Sequence, residues 1–275
     1  MINFTKMQGL GNDFVVIDAI NQAVNLTPEH IRFMADRHFG IGFDQLLLVG
    51  KPVSSNAAFK YRIFNADGSE VAQCGNGARC FARFVREKSL FDGDEIVVDT
   101  DSGQLVLQLV DDGQVTVNMG VPKFSPAEIP LIADQEELRY STEINGAVVE
   151  FGAVSMGNPH AVIQVENVAI APVADLGLVL ENHPLFPARA NIGFMQVLTR
   201  DHIKLRVYER GAAETLACGS GACAAVVVGI GQRLLDNKVT VDLPGGQLLI
   251  AWAGRGEPVF MTGPATTVFD GNIDI

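Results

Sequence analysis

The chain has 275 residues, 48% of them hydrophobic and 19% charged, with a formal net charge of −12 at pH 7. That length suits two modest cores, the composition excludes a disordered chain, and the acidic balance argues against nucleic acid, whose binding rests on cationic surface. The opening MINFTKMQGLGNDF lacks the basic-then-apolar pattern of an export signal, and the longest strongly apolar run, 222–230, is under half of the roughly 20 residues a membrane span needs, so a cytoplasmic protein without a membrane partner is expected.

In chain order, Thr27-Pro28-Glu29 predicts a helix with a side-chain cap and a proline at its first position, closed by Gly40. YRIFNAD (61–67) alternates as a strand, and EVAQCGNGARC (70–80) then sets a cysteine in a glycine-rich turn before a helix over 78–86. DEIVVDT, QLVLQLV and QVTVNM, within 94–119, read as strands ending at Gly or Asp turns. After a proline-bearing stretch, 121–130, the strand KLRVYER (204–210) leads to ETLACGSGAC (214–223) and a helix over 222–235. Strands KVTVDL and QLLIAW and a second proline-bearing stretch, 263–267, complete the chain. The second helix begins ACAAVVVGIG, apolar on every face, so protein must enclose it.

Aligning Cys74 with Cys218 superposes YRIFNADGSEVAQCGNGA on LRVYERGAAETLACGSGA without a gap, an offset of 144. Arg62 falls on Arg206, Glu70 on Glu214, and Gly11-Asn12, Ile41-Gly42-Phe43 and Gly103-Gln104-Leu105 recur in the same order at offsets between 143 and 151. One domain has been duplicated. The expected fold is α+β: residues 1–119 with 265–275 form one domain and residues 120–264 the other. Each is a curved, barrel-like mixed sheet wrapped around a central helix, and the active site lies in the cleft between them.

Each cysteine opens a helix, where backbone N–H groups and the helix dipole attract an anion and lower a thiol's pKa from its usual value of about 8.5. Two such thiols suit inversion of a tetrahedral carbon, in which one face loses a proton and the other gains one. Neighbouring thiols resist ionising together, so one serves as thiolate base and the other as thiol acid. Other readings fit less well. A zinc site made of Cys74, Cys80, Cys218 and Cys223 lacks the Cys-x-x-Cys spacing, and a dinucleotide loop at 219–224 lacks its acidic partner. A Cys218/His160 hydrolase leaves the first CGNG unexplained, and an amino-acid-binding module has no need of two thiols.

MQGLGNDFVVID, RIFNADGSEVAQCGNGARC, SMGNPHAVIQV, RANIGFMQV and LRVYERGAAETLACGSGACAAV resemble the diaminopimelate epimerase family across essentially the whole chain. The resemblance implies a pyridoxal-independent isomerase, with no cofactor and no metal, that interconverts LL- and meso-diaminopimelate on the route to lysine and peptidoglycan. Cys74 and Cys218 would be its acid–base pair. It places substrate contacts on Asn12, Gln45, Asn65, Gly75, Asn76, Asn158, Asn191, Glu209, Arg210, Gly219 and Ser220, with His160 and Glu209 tuning the thiols, and it implies a homodimer. Where some members carry a tyrosine near the C-terminus, this chain has Phe269. Proline racemase shares the two-cysteine logic, but its substrate has no second amino-acid centre. Here the first half has Asn65-Ala66 where the second has Glu209-Arg210, a bias that suits Arg210, with Asn65 and Asn191, to the distal carboxylate of a substrate with two such centres.

Overall fold

A computed structural model describes residues 1–71 and 74–275. It divides into two compact units, Met1–Asn118 with Thr262–Ile275, and Met119–Met261. The first unit carries β1 (Ile2–Gly9), β2 (Asn12–Asp18), α1 (Pro28–Ala35), β3 (Gln45–Gly50), β4 (Phe59–Asn65) and β5 (Glu70–Val71), then α2 (Gly75–Glu87), β6 (Glu95–Thr100), β7 (Gly103–Leu109) and β8 (Gln114–Asn118). The second carries β9 (Tyr140–Ile144), β10 (Ala147–Ser155), β11 (Pro159–Gln164), α3 (Val173–Glu181), β12 (Asn191–Thr199), β13 (His202–Glu209) and β14 (Ala213–Glu214), then α4 (Gly219–Gly231), β15 (Lys238–Leu243) and β16 (Gly246–Trp252). β17 (Val259–Pro264) runs across the unit boundary, and β18 (Thr266–Ile273) returns to the first unit.

Hydrogen-bonded neighbours in the first unit run β18-β1-β2-β3-β4-β6-β7-β8, with β5 also on β4. In the second they run β9-β10-β11-β12-β13-β15-β16, with β14 on β13. The directions agree position by position. β2/β3 and β4/β6 are parallel, as are β11/β12 and β13/β15, and the other pairs are antiparallel. This is the duplication written in topology, with β18 filling in the first unit the place that β9 fills in the second.

α2 packs against β18 and β1 at one end of the first unit's strand order and against β7 and β8 at the other. Laid flat, eight strands about 4.8 Å apart span about 34 Å, far beyond the reach of a helix about 10 Å across. The sheet must therefore curl around α2. α4 likewise touches β10, β11, β12, β13 and β16. The sheet is not closed, however: among the described residues no ladder joins β18 to β8 or β9 to β16, so the layer is curled and open.

The strands beside the helices are buried on both faces, which explains their continuous apolar runs. In β2, Val15 and Ile17 join Ile31 and Met34 of α1 with Phe43, Leu46 and Leu48, while Phe14 lies against Gly77 of α2. In the second unit Ala161, Ile163, Ile192 and Phe194 pack with Val173 and Leu180 of α3. α3 and the β9–β10 hairpin were not anticipated from sequence.

Helix ends depart from the sequence expectations for identifiable reasons. α1 starts where predicted, its Thr27 cap paired reciprocally with His30, but it stops at Ala35. Asp36 ends it: its side chain accepts from the N–H groups of His38 and Phe39 at 2.7 and 2.8 Å, a local turn that competes with the helix. Gly40 serves a different need, since a Cβ there would lie 2.1 Å from the Phe33 carbonyl oxygen. α4 ends at Gly231 and not Leu235, because Arg233 enters the left-handed region (φ 61°) and the Leu234 N–H bonds back to Gly229 O at 2.8 Å. α2 ends the same way, with Ser89 at φ 55° and the Leu90 N–H on Val85 O at 2.9 Å. Both are Schellman endings formed without glycine at the left-handed position.

Candidate active site

Each cysteine is the N-cap of a 13-residue helix, with extended backbone that leaves the first-turn N–H groups without helical acceptors. Both helices begin one turn earlier than the sequence suggested, so Gly75-Asn76 and Gly219-Ser220 are their first residues. A hairpin delivers the chain to each cap, and an arginine–glutamate fork braces it. Arg62 donates to Glu70 at 2.7 and 2.9 Å, and Arg206 to Glu214 at 2.6 and 2.7 Å. These pairs were legible in principle, since both partners recur at the same offset, but sequence alone had shown them only as repeated residues.

In the first unit the predicted residues gather at one edge of the sheet. Asn12 and Gln45 begin the parallel strands β2 and β3, and Asn65 ends β4 directly opposite Gln45. Gln45 Nε2 donates to Asn65 Oδ1 at 2.9 Å, while Gln45 Oε1 is buried with no partner among the described residues. Cys74 Sγ accepts from the Gly77 N–H at 3.4 Å and approaches Asn12 Oδ1 at 4.0 Å, and Asn76 Nδ2 donates to that same oxygen at 3.4 Å. Beneath them the fully buried Arg79 donates to Asn76 Oδ1 at 3.0 Å and to the Pro264 carbonyl at 3.1 Å. Neither Arg79 nor Tyr61, whose hydroxyl donates to the Cys74 carbonyl at 3.4 Å, had been singled out from sequence.

The second unit builds the corresponding edge from different side chains. His160 is the second residue of β11, opposite Asn191 at the start of β12, and Glu209 ends β13. His160 Nε2 donates to Asn158 Oδ1 at 2.9 Å, Asn158 Nδ2 donates to Ser220 Oγ at 3.3 Å, and Ser220 Oγ lies 3.7 Å from Cys218 Sγ. Asn191 Oδ1 accepts from the Arg210 N–H at 3.1 Å, and the exposed Arg210 side chain donates to the Ala188 carbonyl at 3.0 Å. Glu209, bonded by the Thr215 hydroxyl, lies beside Cys218.

Electrostatics at Cys218 differ from the simple helix-end expectation. Burial pushes its thiol well up, the Glu209 carboxylate adds to this, and the Ser220 hydroxyl and Gly221 N–H oppose it without prevailing. Cys218 is held as a neutral thiol, suited to giving a proton. His160 is held neutral, its pKa lowered to about 3 first by burial and then by the Arg210 guanidinium. Cys80 and Cys223 are buried within their helices. Phe269 is half exposed and rests edge-on against Phe4, the ring centroids 6.1 Å apart.

A sequence model of the diaminopimelate epimerase family matches residues 4–125 and 152–268. A diaminopimelate epimerase of Thioalkalivibrio sulfidiphilus is 61% identical over 276 aligned positions, covering 100% of this chain and 99% of that one. Among solved structures, a hydroxyproline epimerase of Agrobacterium vitis superposes with a TM-score of 0.71 at 16% identity, over 98% of this chain and 91% of that one. A phenazine biosynthesis protein of the PhzF family from Bacillus anthracis gives 0.69 at 17% identity, over 100% and 99%. These two likenesses establish a shared fold.

Proposed function

From the chain's membership of the diaminopimelate epimerase family, we propose how its own residues interconvert LL- and meso-diaminopimelate. Cys74 and Cys218 act as the two acid–base groups. One thiolate takes the α-proton from one face, and the other thiol's proton is delivered to the opposite face, leaving its own sulfur as thiolate. The C–H electron pair stays on the α-carbon and spreads onto the carboxylate, where the amides of Gly75, Asn76, Gly219 and Ser220 stabilise the growing charge. Arg210 takes the distal carboxylate with Asn65 and Asn191, and Asn12, Gln45, Asn158 and Glu209 complete the substrate contacts. His160 and Glu209 set the protonation of the thiols. The chain's own groups supply both proton transfers, so the reaction is assigned no cofactor.

The observation that carries this reading is the recurrence, in two units of matching strand directions, of a cysteine capping an enclosed helix, with an asparagine at or just before the start of a neighbouring strand placed at that helix end. The test is turnover of LL-diaminopimelate in D₂O, with isomer and α-deuterium followed together. Deuterium should enter the inverted product, pyridoxal scavengers and chelators should leave the rate unchanged, and Cys74→Ala or Cys218→Ala should each abolish turnover. Inversion without deuterium, or full turnover in either variant, overturns the assignment. We further propose a cytoplasmic homodimer, on the family resemblance. No described helix is long and apolar enough to cross a membrane, and light scattering on the purified chain tests the assembly.

A further inference from the structure

We propose that Asp44 is a positioning residue for Cys74, holding the side-chain amide of Asn12 so that its oxygen alone faces the thiol. The inference rests on the reading of Cys74 as an acid–base group. Asp44 Oδ2 accepts from Asn12 Nδ2 at 2.9 Å and from the Asp13 N–H at 3.1 Å, and its other oxygen accepts from Arg37 at 2.9 Å. A carboxylate only accepts, so the amide must turn its NH₂ group toward Asp44. Asn12 Oδ1 is thereby left for α2, 4.0 Å from Cys74 Sγ. Asp44 is itself fixed. Its main-chain N–H donates to Asp13 Oδ1 at 2.9 Å, Arg37 forks Asp13 at 2.9 and 2.8 Å, and Lys6 joins Asp13 at 2.6 Å.

The repeat-related asparagine is turned the other way. His160 Nε2 takes Asn158 Oδ1, so Asn158 presents its NH₂ group to Ser220, the neighbour of Cys218. Each amide is thus locked by a second residue, an acceptor in one unit and a donor in the other, and the duplicated asparagines show opposite polarity toward the start of their own helix, Asn12 its oxygen to Cys74 and Asn158 its NH₂ group to Ser220. An acceptor facing Cys74 favours the protonated sulfur. Among the described residues the charged and titratable groups around this point are Lys6 from β1, Asp13 from β2, Arg37 and Asp44 from the segment between α1 and β3, Tyr61 from β4, and Arg79 and Cys80 from α2.

The test reads the thiol and not turnover. In a Cys218→Ala background, iodoacetamide alkylation of Cys74 is followed against pH. Asp44→Asn offers Asn12 either a donor or an acceptor and frees the amide to rotate, so alkylation at pH 7 should be about three- to tenfold faster, with the titration displaced to lower pH. Removing the Asp44 charge acts in the same direction, so the comparison is repeated in Asn12→Ala, where most of the acceleration should vanish. An unchanged profile, or an equal acceleration with and without Asn12, overturns the proposal. Asp44→Ser, whose hydroxyl also both donates and accepts, serves if the Asn variant does not fold. Retained epimerisation by Cys74→Ala would instead refute the catalytic assignment, a result independent of these profiles.

Discussion

Gly77→Ala is expected to destabilise the protein although it replaces glycine by the best helix former. In an open helix position the change gains at most about 1 kcal/mol. Here the new methyl would lie 2.5 Å from the Tyr61 hydroxyl, 3.1 Å from Leu47 Cδ2 and 3.3 Å from Phe14 Cε1, side chains on three adjacent strands. None has room to withdraw: all are buried, and Tyr61 is packed on Phe81 with ring centroids 4.8 Å apart. Overpacking of this kind costs about 1–3 kcal/mol, and displacing the Tyr61 hydroxyl from the Cys74 carbonyl costs about 1 kcal/mol more. The net expectation is a loss of about 2 kcal/mol, read as a lower urea midpoint with an unchanged slope. Gly231→Ala is the internal control, since its nearest neighbour would be Leu138 Cδ2 at 4.0 Å, and it should be neutral or stabilising. A Gly77→Ala midpoint at or above the parent's would refute the argument.

Glu209→Gln should lower the pKa of Cys218, because it removes the carboxylate that reinforces burial; faster alkylation of Cys218 in a Cys74→Ala background checks this, and an unchanged rate contradicts it. His160, neutral above pH 6.5 whether the chain is folded or not, resists protonation in the fold down to about 3. Below pH 6.5 the unfolded chain therefore binds the extra proton, and stability should fall by up to about 1.4 kcal/mol per pH unit on this account. Denaturant melts of His160→Gln between pH 6.5 and 4 should show a shallower fall than the parent's. Arg210→Ala should raise KM for diaminopimelate about 10- to 100-fold, the loss of one charge-assisted contact; unchanged steady-state kinetics would remove Arg210 from the distal site.

The features legible from sequence were those written twice. The cysteine turns, the paired arginines and glutamates, the α+β class and the enclosed helices all follow from one repeat and one apolar run. Less legible were features in which tertiary packing or side-chain competition overrides local pattern. Asp36 stops α1 four residues before Gly40 because its carboxylate caps a turn, and Arg233 adopts a conformation that composition would assign to glycine. The protonation of Cys218 is a case of the same kind. A helix N-terminus suggests an acidified cysteine, but complete burial of Cys218 and the carboxylate of Glu209, brought in from the end of β13, reverse the sign. Asp44 and Arg79 carried no signal because their parts depend on which neighbours fold beside them.

That β18 belongs with β1 bears on how the protein is made. On the ribosome, every residue of the Met119–Met261 unit emerges before the strand that completes the sheet begun at Ile2, so the half translated second is the first able to finish folding. Until then β1 has an open edge on its outer side, and the nascent chain must keep that edge from pairing with a stray strand. Removing the last ten residues should for this reason damage the amino-terminal unit and spare the other.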